Sequence, residues 1–172
     1  MNLQGKRIAI LAEEYYEELE LLYPLIRLQE AGAEVKVVGT PGGETYHGKH
    51  DYPVQVDVTA DHVSADDFDA VVIPGGYAPD RIRRYQAMLD LVRTTFKQGK
   101  IVAMICHAGW VPVSAGIVAG KRVTSTTAIK DDLVNAGADW VDEEVVCDGN
   151  LISSRSPDDL PAFCRAIIDA LE

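Results

Sequence analysis

The chain has 172 residues, 47% of them hydrophobic and 25% charged, enough for one ordinary domain with a full-sized core. Its 27 acidic and 16 basic residues give a net charge of −11, a surface that repels nucleic-acid phosphates and anionic membranes, so no polynucleotide or membrane partner is expected. No apolar run is long enough to span a bilayer, the start MNLQGKRIAILA leads straight into a strand with no charged-then-apolar leader, and three widely spaced cysteines (Cys106, Cys147 and Cys164) suggest neither a disulfide framework nor a zinc site, so a reducing, cytoplasmic setting is expected.

Strand-like and helix-like patterns alternate along the chain, which predicts an α/β fold with a mostly parallel sheet and helices on both faces. Arg7–Ala12 reads as the first strand. Glu18–Ala31 reads as a helix with Leu19, Leu22 and Ile26 on its inner face, ended by Gly32 and kinked by Pro24. Glu34–Val38 gives the second strand, and Thr45–Val58 an excursion of two short strands through GKHDYPVQVDV. Asp69–Ile73 is the third parallel strand and ends in Pro74-Gly75-Gly76. Asp80–Gln98 reads as one helix closed by Gly99. Ile101–Ile105 is a short continuous apolar run, the mark of a strand buried on both faces. A helix follows from Trp110, then a brief strand at Arg122–Ser125. Thr127 is placed to cap a helix over Ile129–Asn135. EVVCDGNLISS forms a hairpin about Asp148-Gly149-Asn150. Asp158–Leu171 closes the chain as an amphipathic helix with Leu160, Phe163, Ile167 and Leu171 inward. With no linker, repeat or low-complexity tract, one domain over residues 1–172 is expected.

The chemistry concentrates where the apolar strand breaks into a helix, in IVAMICHAGW. Cys106 stands there at the carboxyl edge of the sheet, beside the free N–H groups of the helix it introduces, a setting that lowers a thiol pKa and favours the thiolate. Strand-to-helix elbows are where α/β hydrolases place their nucleophiles, whereas an ordinary free cysteine is a small buried apolar residue. His107 follows directly. A neighbouring Cys–His pair needs strained elbow geometry, so a structural histidine and a base stand about level on the residues alone.

Ligands of open α/β sheets bind outside the carboxyl ends of the strands, near a switch in strand order. The loop after the first strand carries Glu13, Glu14, Glu17 and Glu18. Spacing alone favours a solvated helix start for these, with Glu17 the best placed to turn inward. In GGYAPDR, the N–H groups of Gly75 and Gly76 could approach an oxyanion, and Asp80 could simply cap the next helix. No phosphate-cradling glycine motif, GxSxG or metal-ligand spacing is present, so neither a cofactor nor a resident metal is expected, only an adventitious cation at the acidic loop. Cys147, Cys164, His47, His50 and His62 read as bystanders.

Five segments together, EELELLYPLIRLQEAG, GKHDYPVQVD, FDAVVIPGGYAPDRIR, ICHAGW and the tail from TSTTAIKDDLVNAGADWVDEEVV, make the chain resemble the PfpI family of intracellular proteases. That family lies within the class I glutamine-amidotransferase-like superfamily, which includes the parkinsonism-associated deglycase. The resemblance covers nearly the whole chain. It implies a flavodoxin-like three-layer sandwich with Cys106 as nucleophile on the elbow and Glu17 as the carboxyl group beside the sulfur. It implies that His107 serves with an acid at Asp80 contributed by a neighbouring subunit, where some relatives have glutamate. The backbone N–H groups of Gly76 and His107 would form an oxyanion hole, and the chain would assemble as a homodimer or a larger ring such as a hexamer. The implied activity is that of a cysteine hydrolase in stress protection. It is either a peptidase or amidase, or a glyoxalase or deglycase acting on methylglyoxal and its adducts. A redox-sensing stress protein or chaperone with an oxidisable Cys106 is the alternative.

Overall fold

A computed structural model describes residues 2–172. In chain order it contains β1 (Arg7–Ala12), α1 (Glu18–Glu30), β2 (Glu34–Gly39), β3 (Thr45–His47), β4 (Pro53–Gln55), β5 (Val58–Thr59), β6 (Ala70–Ile73), α2 (Ala78–Ile82), α3 (Gln86–Lys97) and β7 (Ile101–Ile105). It continues with α4 (Trp110–Ala115), β8 (Arg122–Val123), α5 (Lys130–Asn135), β9 (Asp139–Trp140), β10 (Val146–Asp148), β11 (Leu151–Ser154) and α6 (Leu160–Leu171).

Seven strands form the central sheet in the order β10-β11-β7-β6-β1-β2-β5. All neighbours are parallel except the β10–β11 hairpin at one edge. Strands β6 and β7 are buried along their whole length, which is why their sequences AVVI and IVAMI carry no polar alternation. Helices α1 and α6 pack together over the sheet, and α3 packs with α4 against β6 and β7. The result is a flavodoxin-like three-layer sandwich. Consecutive β1 and β2 lie side by side, whereas β6 returns to the other flank of β1. The strand order therefore switches at β1/β6, and the loops leaving β1, β6 and β7 converge at one end of the sheet.

The structure departs from the sequence reading in three places. The predicted helix Asp80–Gln98 is two helices, because Tyr85 is extended (φ −105°, ψ 117°) and breaks the chain between α2 and α3. Thr127 makes no side-chain cap; a 3₁₀ turn over Thr127–Ile129 leads into α5 instead. Most consequential, α1 buries Glu20, Leu21, Pro24 and Leu28, while Leu19 and Ile26 are 57% and 63% exposed. The helix continues through Pro24. With ELLYPLIRL apolar on nearly every side, periodicity could not choose the inner face. On the closing helix the inward set Leu160, Phe163, Ile167 and Leu171 is buried.

Candidate active site

The loop after β1 and the loop after β6 are joined along their backbones. Glu17 N–H donates to the Gly75 carbonyl at 3.1 Å and Tyr77 N–H to the Tyr15 carbonyl at 2.8 Å. Both glycines of Pro74-Gly75-Gly76 are required. A Cβ on Gly75 would run into the Glu20 carboxyl and stand 2.9 Å from Cβ of Cys106. One on Gly76, whose φ is +78°, would stand 2.5 Å from the Glu17 nitrogen. The β3–β4 hairpin folds over the same end: Tyr15 N–H donates to the His47 carbonyl at 2.8 Å and Lys49 N–H to the Tyr16 carbonyl at 2.9 Å.

Cys106 adopts φ +63°, a left-handed conformation that a side-chain-bearing residue reaches at a cost of about 1–2 kcal/mol. It turns the chain sharply from β7 into a 3₁₀ turn over Cys106–Gly109 and leaves Sγ partly exposed in a cleft. The cleft measures about 200 Å³ and is lined by Glu17, Lys49, Gly76, Tyr77, Cys106, His107 and Pro157. The backbone N–H groups of Gly76 and His107 both point at the sulfur. His107 Nδ1 lies 3.2 Å from Sγ, with the donor set by the imidazole tautomer. The imidazole meets Trp110 edge-on with centroids 5.4 Å apart, and Trp110 Nε1 is anchored on Asp132 at 2.8 Å.

The carboxyl group against the sulfur belongs to Glu20, not to Glu17. Glu20 is fully buried and accepts the Gly75 N–H at 2.9 Å through Oε1, while its Oε2 has no hydrogen-bond partner among the described residues; its charge is felt by Cys106 across the elbow. Burial, opposed by the Gly75 N–H and reinforced by the charge of Glu17, pushes its pKa up to about 8, so the carboxyl holds a proton at neutral pH. Glu17 instead caps α1 by accepting the Leu19 N–H at 3.2 Å, and its other oxygen pairs with Lys49 Nζ at 3.2 Å on the cleft wall.

The thiol is not depressed in the resting site. Burial, and after it the charge that Glu20 carries when ionised, push Cys106 up to about 12, against the lowering by the Gly76 and His107 N–H groups and by Lys49. The four-residue 3₁₀ turn that follows Cys106 runs on into α4, but burial of the sulfur outweighs whatever field that helical start supplies. At neutral pH the Glu20 proton removes that carboxylate's repulsion. His107 is held below the usual imidazole range by burial and then by the Lys49 cation, so it is neutral.

Asp80 lies in α2 with its carboxyl 2.6 Å from the Arg84 guanidinium, and it does not line the cleft within this chain. Lys49 and Tyr77 were not singled out by sequence reasoning; the signal for Lys49 was the GKHD turn, visible as a motif but with no chemistry legible in it. Glu17, Glu18 and His50 bring ligand atoms within 4.8 Å of one another, but Glu17 is already engaged by Lys49, and Glu18 by the His50 backbone and ring. Cys147 is exposed and Cys164 buried, and neither lines the cleft.

The chain is 46% identical over 166 residues to Deglycase PYRAB04690 of Pyrococcus abyssi, covering 96% of this chain and 99% of the relative. It is 39% identical to General stress protein 18 of Bacillus subtilis, covering 98% and 99%. Among solved structures, a two-domain protein of Anabaena variabilis with DJ-1/ThiJ/PfpI-like and ferritin-like domains superimposes with a TM-score of 0.95 at 44% identity. That match covers 97% of this chain and 48% of the Anabaena protein. A family model described as the DJ-1/PfpI family matches residues 6–170, so nearly every element above falls within it, and the chain belongs to the DJ-1/PfpI family.

Proposed function

We propose that this protein is a cysteine-dependent hydrolase of the deglycase or glyoxalase kind, in which Cys106 adds to the carbonyl carbon of methylglyoxal or of its adducts. One observation carries the reading: Sγ stands on a left-handed elbow in a cleft, with the imidazole of His107 at 3.2 Å, the Gly76 and His107 N–H groups beside it and the buried Glu20 carboxyl across Gly75. As the S–C bond forms, the carbonyl π pair moves onto oxygen, towards the Gly76 and His107 N–H groups. The thiol proton is relayed through the neutral His107 and ends on that oxygen, giving a hemithioacetal; a hemiaminal adduct gives the same species when its amine leaves. The C–H proton of the hemithioacetal carbon then moves to the neighbouring carbonyl carbon through an enediol, which makes a lactoyl thioester. Water hydrolyses that thioester to lactate and the free thiol. Glu20 holds its proton throughout, so its charge does not oppose the sulfur.

The cleft favours a small aldehyde or one modified side chain over an extended peptide. Its roughly 200 Å³ is below the usual range for drug-sized ligands. The relative named a deglycase and the relative named a general stress protein support the same class and a protective role. The protein works in this reading as a homodimer or larger ring in a reducing cytoplasm, with Asp80 of a neighbouring copy as the third member of the Cys106–His107 group. Asp80 supports this by standing outside its own cleft on a half-exposed helix.

The test compares wild type and Cys106→Ser on methylglyoxal, on a glycated peptide and on a denatured protein. Turnover of the first two that vanishes in the variant is expected. Cys106-independent turnover, or peroxide-dependent protection with no turnover on any substrate, would overturn the proposal and favour a redox sensor.

A further inference from the structure

The cleft holds one cation beside the nucleophile, and it comes from the hairpin that sequence reasoning treated as an excursion. Lys49 sits at the β3–β4 turn, is tied by its own N–H to the Tyr16 carbonyl at 2.9 Å, and lines the cleft together with Cys106. Its ammonium is 3.2 Å from Glu17 and 5.9 Å from the Tyr77 ring centroid, so it is held from two sides. The groups facing the sulfur are Glu20 from α1, Glu17 from the cap of that helix, Tyr77 from the cap of α2, His107 from the elbow and Lys49 from the hairpin. Of these only Lys49 is positively charged at neutral pH, because burial and the lysine itself keep His107 neutral. The overall charge of −11 makes a lone cation at this place more telling.

We propose that Lys49 is the residue that balances the Cys106 thiolate, so that the reactive ion pair of this site is cysteine–lysine and the imidazole stays uncharged, free to relay a proton. In the resting site the thiol keeps its proton. As sulfur attacks, that proton passes through His107 to the carbonyl oxygen, or to solvent when the electrophile is an alkylating agent, and Lys49 balances the charge that develops on sulfur. Coulomb attraction across a partly desolvated cleft is stronger than in water, and the Glu17 carboxylate orients the ammonium without neutralising its whole field. Lys49 acts through the sulfur and is a positioning residue. The inference rests on Cys106 being the nucleophile, but its test needs no substrate.

The rate of Cys106 alkylation by iodoacetamide is followed by peptide mass spectrometry from pH 6 to pH 11 for wild type, Lys49→Met and Lys49→Arg. Lys49→Met is expected to lower the rate at neutral pH about tenfold, an upward move of the profile by about one pH unit. Lys49→Arg, which keeps the charge, is expected to return most of it. A Lys49→Met profile that overlays wild type would overturn the proposal, as would a Lys49→Arg protein as slow as Lys49→Met, since shape rather than charge would then matter. Circular dichroism of each variant checks the fold, and Lys49→Ala, which vacates the site without adding an apolar chain, is expected to match Lys49→Met. Should no carbonyl substrate turn over while these profiles separate as described, the hydrolase reading fails and the role of Lys49 stands.

Discussion

Glu20 joins the helix, the glycine loop and the nucleophile through one carboxyl group. Its pKa of about 8, against an ordinary 4.5, has a defined consequence for stability. Between these values the unfolded chain has released the proton and the folded chain still holds it. Stability contributed by this group is therefore present at low pH and is lost as pH rises from about 4.5 towards 8, by on the order of 1.4 kcal/mol per pH unit. Denaturant titrations of wild type at pH 5 and pH 8 should show that loss, and Glu20→Gln, which cannot ionise, should flatten it. The same proton governs chemistry. Turnover should decline above about pH 8 as Glu20 ionises beside the sulfur, and Glu20→Gln should remove that alkaline limb while lowering the plateau about tenfold or more. Glu17→Gln leaves the limb in place and moves it to lower pH, because the Glu17 charge is among the causes that raise Glu20.

At the scale of elements, the register of α1 decides which glutamate reaches the sulfur. Burial at Glu20, Pro24 and Leu28 follows an i, i+4, i+8 row, with Leu21 beside it. Glu17, three residues before Glu20, lies on that same side, but it stands outside the helix as its N-cap, where its carboxylate takes the Leu19 N–H and Lys49. Leu21→Ala should cost about 2–4 kcal/mol in chemical denaturation, whereas Leu19→Ala and Ile26→Ala should each stay within about 0.5–1 kcal/mol. The strands were legible because β6 and β7 are apolar runs bounded by turn residues, and Cys106 was legible because the elbow is a local event. The site's second carboxyl group was not. Its identity depends on which side of a nearly all-apolar helix faces the sheet, and that is settled by tertiary packing. The Gly75 and Gly76 requirements were visible as a PGG motif, but the Glu20 contact that excludes a side chain at Gly75 exists only once α1 is docked. The hairpin bearing Lys49 was seen as two short strands, with nothing local to show that its turn folds back over Tyr16.

The whole molecule supplies what no single element does. Strands β7, β6 and β1 are neighbours in the sheet, so an elbow, a glycine loop and an acidic helix cap far apart in sequence end within one cleft. The remaining acid, Asp80, faces Arg84 and not His107 within one chain. If a neighbouring copy provides it, mixing inactive Cys106→Ser with Asp80→Asn and allowing subunits to exchange should restore turnover above the sum of the two parents, because one hybrid site then holds an intact Cys106 and an intact Asp80. Turnover no higher than that sum would place the third acid elsewhere. The direct measurement of the central claim is the identity of the atom that bonds to the substrate. Enzyme quenched during turnover of methylglyoxal, reduced to fix labile adducts and mapped by peptide mass spectrometry, should carry the adduct on Cys106. The Cys106→Ser protein should carry none at that position and turn over no substrate. An adduct confined to Cys147, Lys49 or another side chain while turnover proceeds would contradict it.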